Sequence, residues 1–379
     1  MDKKTQLKAL HIASGDLWAG AEVQLFTLAK TLHTRSDVIV EIVLLNHGRL
    51  EHELRSTGID VTVIDESRLN GIRILIQLIA VIRKSSPDIV HTHRLKENIL
   101  GSIAATIAGN FRSIRTIHGA PEHPYAWYQL VNHLIVFLDW ICGRYIQQRI
   151  VAVSDDLKNI LKKSYPSEKI QVISNGIDVD ALSQFVKFEK NNAKAGKTNY
   201  RIGIAGRLVP VKRIDLFIKT AELLLIDNHE LNLSFHIYGD GPLRNKLEML
   251  SRELGIDSHV HFEGHCDNIY YKLQHLNLLL MTSDHEGLPM IILEAMVLGV
   301  PVVAHAVGGI SQVLDQGACG VLVKKQFPEE YARKTQCIMN NSNHYLEIKK
   351  KAQLRVKETY SADRNARQYF DLYIECVEH

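Results

Sequence analysis

Short apolar runs alternate with amphipathic segments along almost the whole chain. The runs are nearly continuous in aliphatic residues, which is typical of parallel strands buried on both faces. In the first half the predicted strands are Leu7–Ala13, Val38–Leu45, Asp60–Ile64, Ile89–His93, Ile114–His118 and Ile150–Val153. In the second half they are Arg201–Ala205, Ser234–Tyr238, Val260–Phe262, Leu278–Met281, Pro301–Ala304 and Gly320–Val323. Amphipathic helices between them predict α/β architecture with doubly wound parallel sheets.

The segments between the strands have helical spacing, and the chain ends in helical segments. The clearest are Glu22–His33, Ile72–Lys84, Glu97–Ala108, Glu329–Met339, Tyr345–Glu358 and Arg364–Cys376. A polar stretch without apolar periodicity, 187–199, is predicted to be a linker. A length of 379 residues suits two domains. We therefore predict domains at 1–185 and 200–360 with a cleft between them, followed by a terminal helix at 361–379.

Charge, cysteine content and hydropathy limit the partners and the cellular compartment that we expect for this protein. The formal net charge is only +3, so nothing global indicates nucleic acid. Residues 1–198 hold 25 Lys and Arg against 20 Asp and Glu, a mildly basic half compatible with an anionic membrane surface or with ordinary surface charge. Five unpaired-looking cysteines and no visible signal peptide indicate a cytoplasmic protein. The most apolar segment, Leu130–Ile141, is too short to span a bilayer and is expected to be a buried or interfacial helix.

Two carboxylates eight positions apart are the most informative feature. Glu286 follows an apolar strand, Pro289 suits a helix start, and Glu294 would then lie about one turn inside that helix. The amides at the helix mouth favour a phosphate, while the carboxylates can accept hydrogen bonds from hydroxyls. Phosphate and polyol side by side describe a sugar nucleotide.

Residues that could bind phosphate or face a substrate follow several other predicted strands. Arg207 and Lys212 follow the first strand of the second half and suit a diphosphate. Gly20 and Gly239 lie in glycine-containing strand-to-helix turns that fit either phosphate binding or a purely structural turn. His118 ends a strand where its side chain would face a cleft. His91 and His93 lack acidic or Cys partners at ligand spacing, so no metal site is predicted.

Taken together, these motifs resemble the retaining glycosyltransferases of the GT-B fold, family four (group 1). The resemblance covers nearly the whole chain and rests on motifs that fall in the family's order. They are Gly206-Arg207 with Lys212, Asn175-Gly176-Ile177-Asp178, Tyr238-Gly239-Asp240-Gly241-Pro242, Phe262-Glu263-Gly264, Glu286-x7-Glu294 and Gly308-Gly309. The implied fold is two Rossmann-like domains facing across a cleft: an N-terminal acceptor domain and a C-terminal donor domain, with the last helix packing back on the first.

The resemblance also implies roles. The chain would be a hexosyltransferase that keeps the anomeric configuration and needs no metal or other cofactor. His118, Arg207, Lys212 and Glu286 would be catalytic: the two cations neutralise the donor diphosphate, Glu286 binds the transferred sugar, and His118 faces it. The donor would also contact Gly20, Gly239, Gly287, Leu288 and Glu294, the last through the ribose hydroxyls. Ala19 departs from the family's usual glycine pair, which leaves the role of Gly20's loop open.

Three alternatives remain. A nucleotide-sugar epimerase of the same architecture would convert the donor without an acceptor. A nicotinamide oxidoreductase is disfavoured because no GxGxxG is present, and a silent binding module is disfavoured because the site residues are intact.

UDP-sugars are the first expectation for the donor and GDP-sugars the second. A lipid-linked or cell-envelope glycan is expected as acceptor, contacting His91–Asn98 and His118–Tyr128, where His91, His93, Arg94 and Lys96 could meet an acceptor phosphate. Trp127 and Tyr128 could stack on a sugar or rest at the inner face of a membrane.

Overall fold

The structure is a computed structural model, and it describes residues 6–15, 18–110, 112–119, 130–186, 200–228, 230–266 and 268–378. The chain forms two compact units. The first consists of Met1–Gly176 together with Ala362–His379, and the second of Ile177–Ser361.

A seven-stranded, all-parallel sheet forms the core of the first unit. Its strands are β1 (Leu7–Ala13), β2 (Val38–Leu44), β3 (Asp60–Val63), β4 (Ile89–Thr92), β5 (Ser113–Ile117), β6 (Arg149–Ala152) and β7 (Ile170–Val172). Their order is β3-β2-β1-β4-β5-β6-β7, so the chain reverses direction across the sheet between β1 and β4. In such sheets, ligands bind outside the carboxyl ends of the strands at this switch point.

Helices cover this sheet on both faces. They are α1 (Gly20–His33), α2 (Arg49–Ser56), α3 (Gly71–Ser85), α4 (Leu95–Ala108), α5 (Leu130–Ile141), which continues as a π-helical turn over Cys142–Ile146, and α6 (Asp155–Leu161). The last helix of the chain, α15 (Ala362–Glu378), belongs to this unit and packs beside α1. Its Tyr369 and Tyr373 are fully buried in the same apolar core as β1 and β2.

The second unit is built around a six-stranded parallel sheet. Its strands are β8 (Tyr200–Ala205), β9 (Leu233–Tyr238), β10 (Val260–Gly264), β11 (Leu278–Met281), β12 (Val302–His305) and β13 (Val321–Val323) in the order β10-β9-β8-β11-β12-β13. Its helices are α7 (Val179–Val186), α8 (Ile214–Asp227), α9 (Arg244–Glu253), α10 (Tyr270–Leu273), α11 (Met290–Leu298), α12 (Ile310–Val313), α13 (Pro328–Met339) and α14 (Ser342–Thr359). The switch point here lies between β8 and β11.

The predicted fold class is confirmed: both units are doubly wound parallel α/β structures. Every predicted strand is present, with ends that differ by at most two residues. The structural division of the chain comes earlier than residue 185, because α7 packs within the second unit, where Phe185 contacts the rings of Tyr270 and Tyr271. The predicted linker at 187–199 lies outside the described residues.

Candidate active site

Two neighbouring strand ends in the second unit approach each other through glycines. Gly206, after β8, donates its N–H to the carbonyl of Tyr238 at the end of β9, 2.9 Å away. Gly239 has a φ of +132°, and a Cβ on it would lie 2.0 Å from the Gly206 carbonyl oxygen. Only glycine fits this close backbone approach. The turn that carries Gly239 therefore fixes the exit of the chain toward Arg207.

The backbone of the Lys212 turn is held by the segment that directly follows β11. The Thr282 hydroxyl lies 3.0 and 2.8 Å from the carbonyl oxygens of Lys212 and Arg213, and the Asp284 amide donates to the carbonyl of Val211. Arg213 has a left-handed φ of +49° and pairs with Asp284 at 3.2 Å. Such a conformation persists in a non-glycine residue only where its surroundings hold it.

Lys212 and Glu286, which are 74 residues apart in sequence, meet directly. The Lys212 Nζ donates to Glu286 Oε1 at 2.6 Å, and the Ser283 hydroxyl donates to the same oxygen at 2.7 Å. Glu286 is only 9% exposed. Because the carboxylate is nearly buried, its negative charge requires this pairing, and the pair holds both side chains in one place.

Gly308 and Gly309 explain how the Glu286 loop keeps its shape. Gly309 donates its N–H to the carbonyl of Gly287 at 2.7 Å. Gly308 has a φ of +53°, and a Cβ there would lie 1.7 Å from the Glu286 carbonyl oxygen. The glycine pair that follows β12 therefore allows a second backbone segment to pack directly against the loop that carries the acid.

Glu294 and Arg207 are two charged candidates whose side chains have no partner in the part of the chain that the structure describes. The Glu294 side chain is 5% exposed, and burial raises its pKa to about 7. Arg207 is exposed. Neither group forms a hydrogen bond or an ion pair with any residue that the structure describes. A buried carboxyl without a partner and a free guanidinium on the same unit are groups that an incoming polar ligand can satisfy.

Gly287 and Leu288 lead into the N-terminus of α11. The helix begins at Met290, Pro289 is its N-cap, and Glu294 is the fifth helical residue, as the sequence predicts. The first-turn amides of a helix have no acceptor within the helix, and its dipole favours an anion at this end. The loop thus brings Glu286, helix amides and Glu294 into one short segment.

The remaining predicted residues, Gly20 and His118, belong to the first unit. Gly20 is the first residue of α1, and the amide of the preceding Ala19 donates to the Glu22 carboxylate at 3.1 Å. Asp16 and Leu17 of the same loop lie outside the described residues. His118 directly follows β5, and both of its ring nitrogens are buried without a hydrogen-bond partner in the described structure.

A cluster of histidines lies next to His118. The His93 ring stacks on the His118 ring with centroids 5.8 Å apart, and His93 Nε2 shares a hydrogen bond of 3.1 Å with His11 Nδ1. The nitrogens of His11, His91 and His93 that could bind a metal lie within 4.8 Å of one another. Both nitrogens of His11 and of His91 take part in hydrogen bonds inside the protein, so an ion would have to displace them.

Burial removes the charge from this cluster. Desolvation lowers the pKa of His11 to about 3 and that of His118 to about 4, with Arg94 adding to the effect at His118. Desolvation and the neighbouring imidazoles hold the pKa values of His91 and His93 well below the usual range. All four rings are therefore neutral at physiological pH.

The expectation that His91 meets an acceptor phosphate is wrong. His91 is fully buried, and its nitrogens bond to Tyr373 and Thr116 at 2.8 Å each. His93 is also buried, at 6% exposure. Lys96 pairs with Glu66 and Arg94 with Glu22. Trp127 and Tyr128 lie outside the described residues.

Comparison with known protein families covers both units. The model described as "Glycosyltransferase Family 4" matches residues 18–181, and the model described as "Glycosyl transferases group 1" matches residues 186–355. The chain belongs to the group 1, family 4 glycosyltransferases. The resemblance drawn from the motifs is thereby confirmed.

Curated relatives of this glycosyltransferase are distant. It is 27% identical over 247 residues to the poly(ribitol-phosphate) alpha-N-acetylglucosaminyltransferase of Staphylococcus aureus, a match to 64% of this chain and 49% of that one. The chain therefore spans about half the length of that relative. It is 25% identical over 280 residues to the UDP-Gal:alpha-D-GlcNAc-diphosphoundecaprenol alpha-1,3-galactosyltransferase of Escherichia coli, covering 73% of this chain and 72% of the relative.

Solved structures share the fold of the glycosyltransferase. HepE of Anabaena, crystallised with UDP-glucose, superimposes with a TM-score of 0.82 at 20% identity and covers 98% of this chain and 100% of its own. A mutant of TarM from S. aureus, crystallised with fondaparinux, alpha-GlcNAc-glycerol and UDP, gives a TM-score of 0.74 at 16% identity and covers 97% of this chain and 100% of its own. Both matches agree with the predicted GT-B fold.

Sequence reasoning missed the residues that support the site. Thr282, Ser283 and Arg213 hold the Lys212–Glu286 pair, and His11 completes the histidine cluster. A signal for His11 was available, because a polar side chain inside an apolar parallel strand needs a buried partner. The sequence gives a weaker indication of the role of Ser283, because serine is common in loops whether or not it has a functional contact.

Proposed function

We propose that this glycosyltransferase transfers a sugar from a nucleoside diphosphate sugar to an acceptor hydroxyl, with retention of the anomeric configuration and without a metal ion. The observation that carries the proposal is the arrangement in the second unit, where the Lys212–Glu286 pair coexists with Arg207 and with a buried Glu294, whose side chains have no partner among the described residues. Cations for a diphosphate and carboxyl groups for hydroxyls are the two sets of contacts that a sugar nucleotide requires.

The diphosphate would be bound by Arg207 and Lys212. Departure of the nucleoside diphosphate leaves negative charge on the leaving oxygen, and pre-positioned cations stabilise that charge as it develops. Lys212 is already held by Glu286, and Arg207 is free among the described residues to pair with phosphate. Two side-chain cations can supply the charge that Mg²⁺ supplies elsewhere, which is why we propose metal independence.

Glu286 and Glu294 would bind the two polyols of the donor. A carboxyl at Glu294 that has no partner inside the described protein suits the ribose hydroxyls, and Glu286 suits the hydroxyls of the transferred sugar. Binding hydroxyls would give the Glu294 carboxylate the hydrogen bonds that burial denies it. Transfer is favoured over the epimerase alternative because the relatives described above are transferases.

We propose a uridine nucleotide for the donor and a cell-envelope glycan or its lipid-linked precursor for the acceptor. The E. coli relative is named for UDP-Gal and a diphosphoundecaprenol acceptor, and the S. aureus relative for poly(ribitol phosphate). HepE was crystallised with UDP-glucose. These names support the chemical class of donor and acceptor that we propose for this chain.

Donor identity is tested by thermal shift with UDP-, GDP- and ADP-sugars, followed by turnover with candidate acceptors. A ligand that binds only the folded state stabilises it by about 2.7 kcal/mol at a hundredfold excess over its Kd. We expect a UDP-sugar to give the largest shift, and product to form only when acceptor is present. Conversion of the donor without acceptor would support an epimerase instead.

Retention and metal independence need separate tests. NMR of the first product formed should show the same anomeric configuration as the donor. Turnover should be unchanged in excess chelator. Activity that disappears with chelator and returns only with Mn²⁺ or Mg²⁺ would contradict the metal-independent mechanism.

A specific observation also favours peripheral membrane contact through α5. Rather than being buried, α5 exposes Leu134 and Phe137 by 56% and 54%. Trp140 on the same helix stacks on Phe137 and donates its Nε1–H to the carbonyl of Ser164. No described helix is long and apolar enough to cross a membrane.

The charges beside α5 suit an anionic surface. Lys162 and Lys163 directly precede Ser164 and are exposed, so an apolar helix face lies next to basic side chains. This combination binds membranes whose lipids are negatively charged. At low salt the wild type should sediment together with anionic vesicles, whereas the Phe137→Glu variant should stay in the supernatant. Leu354→Glu, a matched change at a 56% exposed leucine on α14, should bind as the wild type does. Equal binding by both variants would exclude α5 as the contact.

A further inference from the structure

The histidine cluster of the first unit lies on one face of its sheet. His11 of β1 and His91 of β4 are register partners, and His91 pairs with Ile114 of β5. Side chains alternate along a strand, so His93, Thr116 and His118 continue the same face toward the carboxyl ends. The face thus carries a row of neutral polar groups that ends at His118.

A continuous chain of hydrogen bonds runs from this row to the last helix. His93 Nε2 meets His11 Nδ1 at 3.1 Å, and His11 Nε2 meets the Tyr373 hydroxyl at 3.4 Å. The Tyr373 hydroxyl also meets His91 Nδ1 at 2.8 Å. His91 Nε2 meets the Thr116 hydroxyl at 2.8 Å, and that hydroxyl meets Tyr369 at 2.8 Å. Both tyrosines lie on α15.

A neutral imidazole has one N–H and one acceptor nitrogen. The chain therefore has two self-consistent arrangements. In the first, Tyr369 donates to Thr116 and every following link donates in the same sense, so that His91, His11 and His93 all carry the proton on Nδ1. In the second, every link is reversed, and all three carry it on Nε2.

The Tyr369 end of the chain distinguishes the two arrangements. In the reversed arrangement two buried groups lack a partner among the described residues: the hydrogen of the Tyr369 hydroxyl, which accepts from Thr116, and the acceptor nitrogen Nδ1 of His93. Each unsatisfied buried polar group is unfavourable. The first arrangement leaves one such group in the described part of the hydrogen-bond chain, the His93 Nδ1–H, which lies next to His118, whose two nitrogens also have no partner there.

We infer that His93 presents its Nδ1–H as a hydrogen-bond donor to a substrate oxygen at the His118 site, and that Tyr369 and Tyr373 of the C-terminal helix position this proton through the hydrogen-bond chain. The inference rests on the proposed function, and the oxygen is a hydroxyl oxygen of one of its two substrates, the nucleotide sugar or the acceptor, since both have the same hydrogen-bonding chemistry.

The tautomer is tested without any substrate. In protein labelled with ¹⁵N at histidine, long-range ¹H–¹⁵N NMR distinguishes the Nδ1–H from the Nε2–H form, and the His93→Asn spectrum assigns the His93 signal. We expect Nδ1–H in the wild type and a shift toward Nε2–H in Tyr373→Phe, because loss of the Tyr373 hydroxyl disconnects His11 and His93 from Tyr369 and leaves the two tautomers of that pair equally satisfied. Tyr331→Phe is the control, because the Tyr331 hydroxyl is buried in the second unit without a partner among the described residues. An Nε2–H form of His93 in the wild type, or no change in Tyr373→Phe, would overturn the inference.

Two substitutions of His93 then test its contact with substrate. Asn reproduces a donor near the Nδ1 position but loses the bond to His11, whereas Gln reaches the Nε2 position and loses the Nδ1 donor. We expect His93→Gln to reduce kcat/KM by about tenfold and His93→Asn to lose less. If the oxygen is on the donor sugar, the Kd of the nucleotide sugar rises in His93→Gln while that of the nucleoside diphosphate does not. If it is on the acceptor, the acceptor KM rises alone.

These readouts keep the inference separate from the proposed function. A wild type that transfers no sugar from any nucleotide sugar would remove the proposed function, while the tautomer measurement would still decide the hydrogen-bond chain. Equal kinetics for His93→Gln and His93→Asn, with active wild type, would remove the substrate contact of His93.

Discussion

The two units place ionisable groups at the carboxyl ends of similar parallel sheets, but they treat those groups in opposite ways. The first unit buries His11, His91, His93 and the ring nitrogens of His118, and burial keeps these histidines neutral by lowering their pKa values. The second buries Glu294 and keeps much of it neutral by raising its pKa to about 7, while Lys212 and Glu286 pair nearby. The same fold thus supports a neutral hydrogen-bonding face in one unit and an anion-binding face in the other.

This difference predicts opposite responses to pH. A buried base whose pKa is lowered makes the folded state weaker in acid, because only the unfolded chain takes up the proton. A buried acid whose pKa is raised makes the folded state weaker in alkali, because only the unfolded chain releases the proton readily. The two units should therefore be most stable at different pH values.

The largest expected effect is acid destabilisation of the first unit. His11 and His118 titrate near pH 3 and 4 when folded but near 6.5 when unfolded, so the unfolded state binds more protons between these values. Stability is then lost as pH falls below 6.5, by about 2 kcal/mol for each histidine at pH 5. Hydrogen exchange followed by mass spectrometry should show β1 and β4 losing protection between pH 6.5 and 5 relative to β11. A parallel loss in both units would contradict the comparison.

The second effect tests the charged face directly. Lys212→Met removes the cation that we propose for the diphosphate, and kcat/KM should fall by about 10²–10³, by analogy with loss of one oriented donor in other enzymes. Lys219→Met is the control, since Lys219 is an exposed lysine on α8 of the same unit. Thermal unfolding should show that both variants fold. Wild-type turnover in folded Lys212→Met would move the diphosphate site elsewhere.

The third effect concerns Glu294 in the ligand-free protein. The group has a pKa of about 7 when folded against 4.5 for a free glutamate, so ionisation costs stability above pH 4.5. Glu294→Gln should stabilise the second unit by about 3 kcal/mol at pH 8 and by about 1 kcal/mol at pH 5.5. Urea unfolding at the two pH values measures the difference.

The same variant should bind the donor less well, because an amide accepts fewer hydrogen bonds from ribose hydroxyls than a carboxylate does. A gain in stability without a loss in donor affinity would separate Glu294 from the donor site. A stability difference that does not change with pH would mean that the carboxyl is not held neutral by burial.

The sequence was sufficient for the fold because parallel buried strands are continuous apolar runs. The exception is β7, Ile170–Val172, which has only three residues and a glutamine at its centre. The site was harder to predict. Lys212 and Glu286 could be named from the family resemblance, but their direct contact depends on how β8 and β11 are placed, which no local pattern contains.

The histidine cluster of the first unit also depends on contacts that no local sequence pattern shows. His91 and His93 were visible as a pair, whereas His11 lies 80 residues before His91, and only the register of β1 against β4 brings them together. Tyr373 is still farther away, on the last helix. The register between distant strands and the return of the last helix to the first unit belong to the tertiary structure. They decide whether a histidine is exposed to a ligand or buried within a hydrogen-bond chain.

The smallest expected effect tests how the Glu286 loop is shaped. Gly308→Ala places an alanine in the left-handed region and also brings its Cβ to 1.7 Å from a backbone oxygen. Gly255→Ala, at a φ of +68° in the same unit, also creates a left-handed alanine, but its Cβ meets no atom within 4 Å. Left-handed strain alone costs about 1–2 kcal/mol. Urea unfolding should therefore show Gly308→Ala about 1–2 kcal/mol less stable than Gly255→Ala, from overpacking.

The same clash must displace Glu286 from Lys212, so only Gly308→Ala should also reduce turnover. Equal losses of stability in the two variants would mean that the loop moves freely, and the Lys212–Glu286 pair would then owe its geometry to Ser283 and Thr282 alone.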